Sequence, residues 1–295
     1  MVVYSKMSGT TLVVLAAGKG SRFGGLKQLH TFQPQGATLA EFAIWDALQT
    51  GFDYFVAIVS EATKDYFETV FERMGIADRA CCILQKTDKF FQNRAKPLGT
   101  GHALLSASKA IHTPFVIVNG DDFYGREAYR LAKTFLKNNK KDFALIGYPL
   151  KETLSDNGYV SRGLCSTNGS CVLSIDEYTH VERVGNKIIN GVGDHEIKLD
   201  PETFVSMNFW ILQHSILQDL EAQWQLFLKN LKDPQNDEFF LPNAIRDIAA
   251  ERGVPIRLLK NLSGGWLGIT YAGDVQKVQE SLLKKTSCGI YPKNF

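Results

Sequence analysis

The sequence predicts an α/β fold, a mostly parallel sheet with helices on both faces, and three observations carry that expectation. Short apolar runs alternate with helix-length segments through the first half of the chain. Those runs are continuously apolar rather than alternating, as strands buried on both faces are. After residue 150 the texture changes to turn-rich stretches suited to a small antiparallel insertion.

Taken in order, a tail over 1–10 precedes a buried strand at 12–17. Thr38 and Glu41 have the spacing of a capping box, so a helix starts just after Thr38. Phe42, Trp45 and Leu48 give that helix one apolar side, and Gly51 stops it. A strand at 54–59, a helix at 61–74 closed by Gly75, and a strand at 81–84 follow. A polar, aromatic loop runs to Pro97. Next come a small-residue helix at 101–111, a strand at 115–118, a helix at 126–138 and a strand at 143–148. Residues 159–178 read as a hairpin turning at Asn168-Gly169, 181–199 as a second glycine-rich excursion, and 205–212 as a strand returning to the core. Helices near 215–230 and 238–252, a strand at 256–259 and a helix from Asp274 complete the pattern. With no Pro/Gly/Ser linker and no internal repeat, one domain over 11–295 is expected, with about 151–204 as its insertion.

Apolar content of 44% and charged content of 22% suit a soluble globular chain with a sizeable core. A formal charge of +2 implies no overall attraction to nucleic acid or to a membrane. The basic run at 137–141 suits a helix C-terminus, and no aromatic–basic interleaving suggests a nucleic-acid surface. The longest apolar runs are strand-length and the N-terminus lacks a signal-peptide core, so a cytoplasmic protein is expected. A two-residue loop at Asn168-Gly169 would set Cys165 opposite Val172 rather than Cys171, so the five cysteines read as free thiols. His102, His180, His195 and His214 are scattered, with no pair at ligand spacing.

The chemistry concentrates in the loop after the first strand, Gly18-Lys19-Gly20-Ser21-Arg22-Phe23-Gly24. Its glycines leave backbone N–H groups free to face an anion. A P-loop needs a Lys-Ser/Thr pair six residues after its first glycine, and none is there. A dinucleotide loop needs an acid about 20 residues on, but Glu61 comes roughly 40 residues later. A grip on a nucleoside triphosphate fits better: Arg22 offers a planar fork for phosphate oxygens and Lys27 a movable point charge. Asp121 follows the buried strand at 115–118, where a carboxylate can hold Mg²⁺ against phosphates. Gln85 follows the third strand with an amide able to pair with a base edge.

Together these segments resemble the sugar-1-phosphate nucleotidyltransferases of the nucleotidyl transferase superfamily. The family signature L-A-G-G-x-G-T-R, then K-x-L, is similar to Leu15-Ala16-Ala17-Gly18-Lys19-Gly20-Ser21-Arg22, then Lys27-Gln28-Leu29. Its D-G-L-A-type segment is similar to Leu98-Gly99-Thr100-Gly101, and its L-x-G-D to Val118-Asn119-Gly120-Asp121. In the second half Asn157-Gly158-Tyr159-Val160 looks like Y-G-V-V, 174–179 like E-E-K-P, and 205–210 like a strand carrying N-x-G-x-Y. Tyr178 stands where a phosphate-binding lysine is usual, leaving Arg162 or Arg183 to supply that charge. The W-x-D-x-G-T segment, whose Asp completes a metal site, is matched by Gly265-Trp266-Leu267-Gly268-Ile269-Thr270. Glycine replaces that aspartate, and Asp122 or Asp274 is left as its substitute. The hexapeptide-repeat β-helix that many such enzymes append is not expected.

The resemblance implies a Rossmann-like three-layer α/β/α domain with the antiparallel insertion over the acceptor site. It implies a Mg²⁺-dependent reaction of an NTP, UTP first, with a sugar 1-phosphate, giving an NDP-sugar and pyrophosphate. Arg22 and Lys27 would be catalytic and Asp121 would hold the metal. Leu15, Ala17, Gly18, Gly20, Gln85, Gly99 and Thr100 would bind the nucleotide, and Gly158, Glu177 and Asn208 the acceptor. Two alternatives stand beside it. One is a cytidylyltransferase acting on a non-sugar phosphate such as a phosphorylated amino alcohol. The other is a nucleotide-binding regulator impaired by the missing carboxylate. The partners expected are thus an NTP and a small phosphorylated acceptor, with self-association left open.

Overall fold

The computed structural model describes residues 8–18, 27–85, 91, 94, 97–263 and 265–295. The first half alternates as β1 (Thr11–Ala16), α1 (Leu39–Gln49), β2 (Tyr54–Val59), α2 (Lys64–Arg73), β3 (Ala80–Leu84), α3 (Thr100–Ser106), β4 (Phe115–Asn119), the short β5 (Asp122–Phe123), α4 (Arg126–Asn138) and β6 (Phe143–Pro149). The second half supplies β7 (Val160–Asn168), β8 (Cys171–Val184), β9 (Lys187–Asn190), β10 (Ile197–Leu199), β11 (Phe204–Leu212), α5 (Ile216–Lys229), α6 (Leu241–Arg252), β12 (Ile256–Lys260), β13 (Leu267–Gly268) and α7 (Asp274–Ser287).

Why the early strands read as unbroken apolar runs is visible in β1. Leu12, Val14 and Ala16 enter one buried cluster with residues of α1, α2 and α4, whereas Val13 enters another with residues of α3, α5 and α6. Side chains alternate across a strand, so a strand covered on both faces must be apolar at every position. The strand order is β10-β9-β8-β12-β6-β11-β4-β1-β2-β3, with β7 laid against β8 and β11. From β3 to β12 every strand except β11 runs in one direction. Beyond β12 all pairing is antiparallel, so the sheet is mixed, with its parallel part between β12 and β3.

Two expectations are corrected. The helix expected at 101–111 ends at Ser106, and a 3₁₀ turn at Ser108–Ala110 completes the connection. In the 159–178 hairpin the loop residues are Gly169 and Ser170, because Asn168 pairs with Cys171. A register shift after Thr167 then sets Cys165 opposite Ile175, not Val172. Left-handed φ at Gly169 (+59°) moves the turn one residue along from the expected position. Cys165 and Cys171 are free thiols, and burial pushes the Cys165 thiol up to about 12. Among the described residues no helix is long and apolar enough to cross a membrane.

The capping box forms as expected. The Thr38 hydroxyl accepts from the Glu41 N–H at 3.4 Å, and the Glu41 carboxylate accepts from the Thr38 N–H at 2.6 Å. Glu41 is fully buried and also takes Tyr66 Oη at 2.8 Å and the Arg73 guanidinium, so this cap ties α1 to α2. At the other end of α1, Asp46 accepts from Tyr291 Oη at 2.6 Å and Arg126 Nε at 2.9 Å, joining α1, α4 and the C-terminal segment. Burial raises the Asp46 carboxyl to about 6, against the Tyr291 and Arg126 bonds that lower it.

Thr38→Ala is expected to lower unfolding stability by about 1 kcal/mol, read from the urea midpoint. Because the folded Asp46 pKa exceeds the unfolded one, the native state binds more protons between roughly pH 4 and 6. This group's contribution is therefore fully present below about pH 4 and is lost as pH rises through 6. It should leave the protein about 1 kcal/mol more stable at pH 5 than at pH 7, and Asp46→Asn should remove that difference.

Candidate active site

Parallel pairing sets Leu15 of β1 beside Asn119 of β4, and the Gly120 N–H donates to the Leu15 carbonyl at 2.8 Å. A Cβ at Gly120 would lie 2.9 Å from that carbonyl, so only glycine lets the two strand ends close. The chain runs from β1 outward to β2 and β3, then returns to place β4 on the other side of β1. Such a reversal opens a crevice beyond the carboxyl ends of the strands. Two cavities of about 340 and 670 Å³ lie there, and both are bordered by Asn119, Asp121 and Asn208.

The smaller lobe is lined by Leu15, Ala17, Gly18, Gln85, Gly99 and Thr100, all assigned to the nucleotide from the sequence. Gly20 and Arg22 lie outside the described residues. Gln85 donates to the Gly99 carbonyl at 3.2 Å. Gly99 has φ +98°, and a Cβ there would fall 2.6 Å from the Phe239 carbonyl. That carbonyl instead accepts from the Gly101 N–H at 2.8 Å. Thr100 Oγ1 accepts from the Leu241 N–H at 3.0 Å, so this turn is locked to the start of α6.

Lys27, in a 3₁₀ turn at Lys27–Leu29, donates to Asp121 at 2.7 Å beside the junction of the lobes. Burial alone would lower the Lys27 pKa, but the Asp121 and Asp122 carboxylates outweigh it and hold the ammonium above its ordinary value. Asp122 accepts from Asn119 Nδ2 at 2.9 Å, and its carboxyl is raised to about 6 by burial and then by the neighbouring Asp121 charge.

The larger lobe runs from this pair toward β7, β8 and the start of α6. Glu177 and Asn208, assigned to the acceptor from the sequence, line it. Asn208 has φ +59° within a register break between Ser206 and Trp210 of β11, a bulge that turns one side chain out of the ladder. Gly158 lines neither lobe and packs against Tyr271, whose ring would lie 2.9 Å from a Cβ there. The choice between the two arginines is also resolved in position. Arg162 lines the larger lobe, whereas Arg183 lines a separate outer cavity with Lys151 and Lys277. Arg162 pairs across the ladder with Tyr178, so a cation sits on β7 directly opposite the tyrosine on β8. Arg162 is 8% exposed, and its guanidinium is held by Thr153 and the Ser161 carbonyl and lies 5.1 Å over the Trp266 ring. Burial lowers its pKa to about 10.

Gly268 of β13 pairs with Asp122 of β5. A Cβ at Gly268 would lie 2.3 Å from the Trp266 ring and 3.0 Å from Asp122 Oδ1, so indole fills the room a side chain would need. The Asp274 oxygens take Ser155 Oγ, Asn157 Nδ2 and the N–H groups of Thr270 and Tyr271 at 2.6–2.8 Å, whereas Asp122 lines the larger lobe beside Asp121. Sequence reasoning missed Gln28 and Glu238, which line the smaller lobe. Gln28 donates to the Gly18 carbonyl at 2.7 Å, while its buried Oε1 has no partner among the described residues. Its place inside the Lys27-Gln28-Leu29 segment was the available signal; Glu238 had none. Gly268→Ala is expected to cost about 1–3 kcal/mol by forcing Trp266 aside, read as a drop in urea midpoint.

The comparisons with known proteins follow this geometry. Among solved structures, the inositol-1-phosphate CTP transferase from T. maritima aligns with TM-score 0.64 at 15% identity, over 96% of this chain and 98% of that one. A Bacillus anthracis protein assigned as a glucose-1-phosphate thymidylyltransferase, in complex with a sucrose, aligns with TM-score 0.60 at 13% identity, over 92% and 94%. At such identities the likeness is one of fold. No curated protein matches. The family model described as nucleotidyl transferase matches residues 11–238, a span holding β1, Lys27, Asp121 and Asn208, and the chain belongs to that family.

Proposed function

We propose that the protein transfers a nucleotidyl group from an NTP, with UTP preferred, to the phosphate of a sugar 1-phosphate, releasing pyrophosphate. The observation that carries this reading is the Lys27–Asp121 pair beside the common border of the two lobes. An acceptor phosphate in the larger lobe meets the α-phosphate of a nucleotide in the smaller one beside that pair. An acceptor oxygen attacks the α-phosphorus, and the bond to the bridging oxygen of pyrophosphate breaks on the opposite side. The nucleophile is already an anion, so no general base is needed.

Lys27 braces the α-phosphate or the incoming phosphate, held charged by its two carboxylate neighbours. Arg22, by its place in the glycine loop, neutralises the leaving pyrophosphate. Arg162 supplies the fixed positive charge for the acceptor phosphate that Tyr178 cannot. Glu177 and Asn208 bind acceptor hydroxyls, and Gln85 with the Gly99 turn reads the base. Hard carboxylate oxygens fit Mg²⁺, and a buried Asp122 raised by Asp121 is the electrostatic setting that a dication relieves. Asp121 and Asp122 would hold it; when bound it would supply charge stabilisation to the phosphates. Mg²⁺ commonly takes one or two carboxylates and completes its shell with phosphates and water.

Pyrophosphate release should be measured with each common NTP against sugar 1-phosphates, polyol phosphates and amino-alcohol phosphates. UTP with a hexose 1-phosphate is expected to turn over. Lys27→Met and Asp121→Ala should each lower kcat/KM by about 100-fold or more. Preference for CTP with a non-sugar phosphate would replace this reading by the cytidylyltransferase. NTP binding with no release from any pair would replace it by the regulator.

A further inference from the structure

An outer cavity of about 580 Å³ is set apart from both lobes of the candidate active site and shares only Trp266 with the larger one. Three parts of the chain wall it: the turn after β6, the end of β8, and the Gly265–Leu267 segment together with α7. Lys151, Arg183, Lys277, Lys284 and Lys285 line it, against only Glu152 and Asp156. Lys277, Ser281 and Lys284 follow one another at helical spacing, so one face of α7 borders the space.

Two of these cations already have partners, since Lys151 pairs with Glu202 and Lys277 with Asp156 at 2.6 Å. Among the described residues, Arg183, Lys284 and Lys285 have no carboxylate in ion-pair contact. Lys284 and Lys285 stand in the last turn of α7, where cations suit the helix dipole. That accounts for the two lysines but not for Arg183, which reaches the same cavity from β8 and donates through Nη2 to the Lys151 carbonyl at 3.2 Å. Lys285 is half-buried, with its ammonium 5.7 Å over the Phe123 ring. An added Cβ at Gly265, which has φ +103°, would lie 3.7 Å from Lys285 Nζ, so bare backbone stands beside that ammonium.

A concave space lined mainly by one sign of charge concentrates counter-ions. Its size is that of a small-molecule site rather than of a macromolecular surface. Leu154, Leu267 and the exposed Ile290 add apolar lining beside the cations.

We propose that this cavity is a second anion site that binds the diphosphate group of a small molecule. Arg183 supplies a planar fork and Lys284 and Lys285 supply point charges, with the rest of the ligand against Leu154, Leu267 and Ile290. A nucleoside diphosphate and free pyrophosphate share this chemistry. The proposal is independent of the nucleotidyl-transfer reading.

Calorimetry in low-salt buffer should compare UDP, pyrophosphate and uridine on Lys27→Met, which leaves the outer cavity intact while weakening phosphate binding at the lobes. UDP and pyrophosphate are expected to bind and uridine is not. Adding Arg183→Gln and Lys284→Gln should weaken the binding of both by about tenfold or more. Lys229→Gln with Lys232→Gln removes the same charge from exposed positions outside the cavity and should change affinity by less than about twofold. Thermal unfolding confirms that each variant folds. Tighter binding of UDP than of pyrophosphate identifies a nucleotide as the ligand, and equal affinities identify the free diphosphate. Absence of binding, curves unchanged by Arg183→Gln and Lys284→Gln, or equal weakening by the control pair overturns the proposal. Binding rather than turnover is read, so a failure of the transferase reading is seen separately, as absence of pyrophosphate release from every NTP and acceptor.

Discussion

Everything at the candidate site depends on the close parallel pairing of β1 with β4. That pairing sets Leu15 beside Asn119, and the Gly120 N–H bond to the Leu15 carbonyl brings the end of β1 and the aspartates after β4 to one end of the sheet. Their meeting point is the Lys27–Asp121 ion pair, which joins residues 94 positions apart. Such a pair, largely shielded from water, is stronger than a surface pair and is sensitive to what stands beside it. Asp122 supplies that neighbour. The two carboxylates, the Lys27 ammonium and the Arg162 guanidinium thus act on one another at this end of the larger lobe.

The rest of the molecule holds this edge in shape. The Thr38–Glu41 cap ties α1 to α2, and Asp46 ties α1 to α4 and to the C-terminal segment through Tyr291. On the opposite face, Phe239 and Leu241 hydrogen-bond to the turn at 98–101, so α6 positions the base-side loop as well as walling the acceptor side. Phe239 is buried in the core, whereas Phe240 is exposed and lines the acceptor lobe. One dipeptide therefore serves packing and site together.

Where the chain departs from the family pattern, the departures compensate each other in space. Tyr178 lacks the expected positive charge, but Arg162 stands across the ladder from it with its guanidinium in the acceptor lobe. Gly268 lacks the expected carboxylate, but it pairs with Asp122, which brings one to nearly the same place from β5. In both cases a charged residue stands on the facing strand.

Much of this was legible in the residues. Thr38 and Glu41 announced their helix because a capping box is local, and β1, β2 and β4 were readable because burial on both faces demands unbroken apolar runs. Gln85 and Asp121 were readable as ligand-facing positions because each follows a strand end, where an open α/β sheet binds its ligands. What the residues could not state was pairing. The β7–β8 register depends on its turn at Gly169-Ser170 rather than Asn168-Gly169 and on two shifts along the ladder. The roles of Arg162 and Asp122, the full engagement of Asp274, the bulge that turns Asn208 and the place of Glu238 all depend on contacts between distant segments. Local sequence determined which elements form and where ligand-facing ends lie, whereas tertiary structure alone decided which charges share a cavity, because charge acts through distance in space and not along the chain.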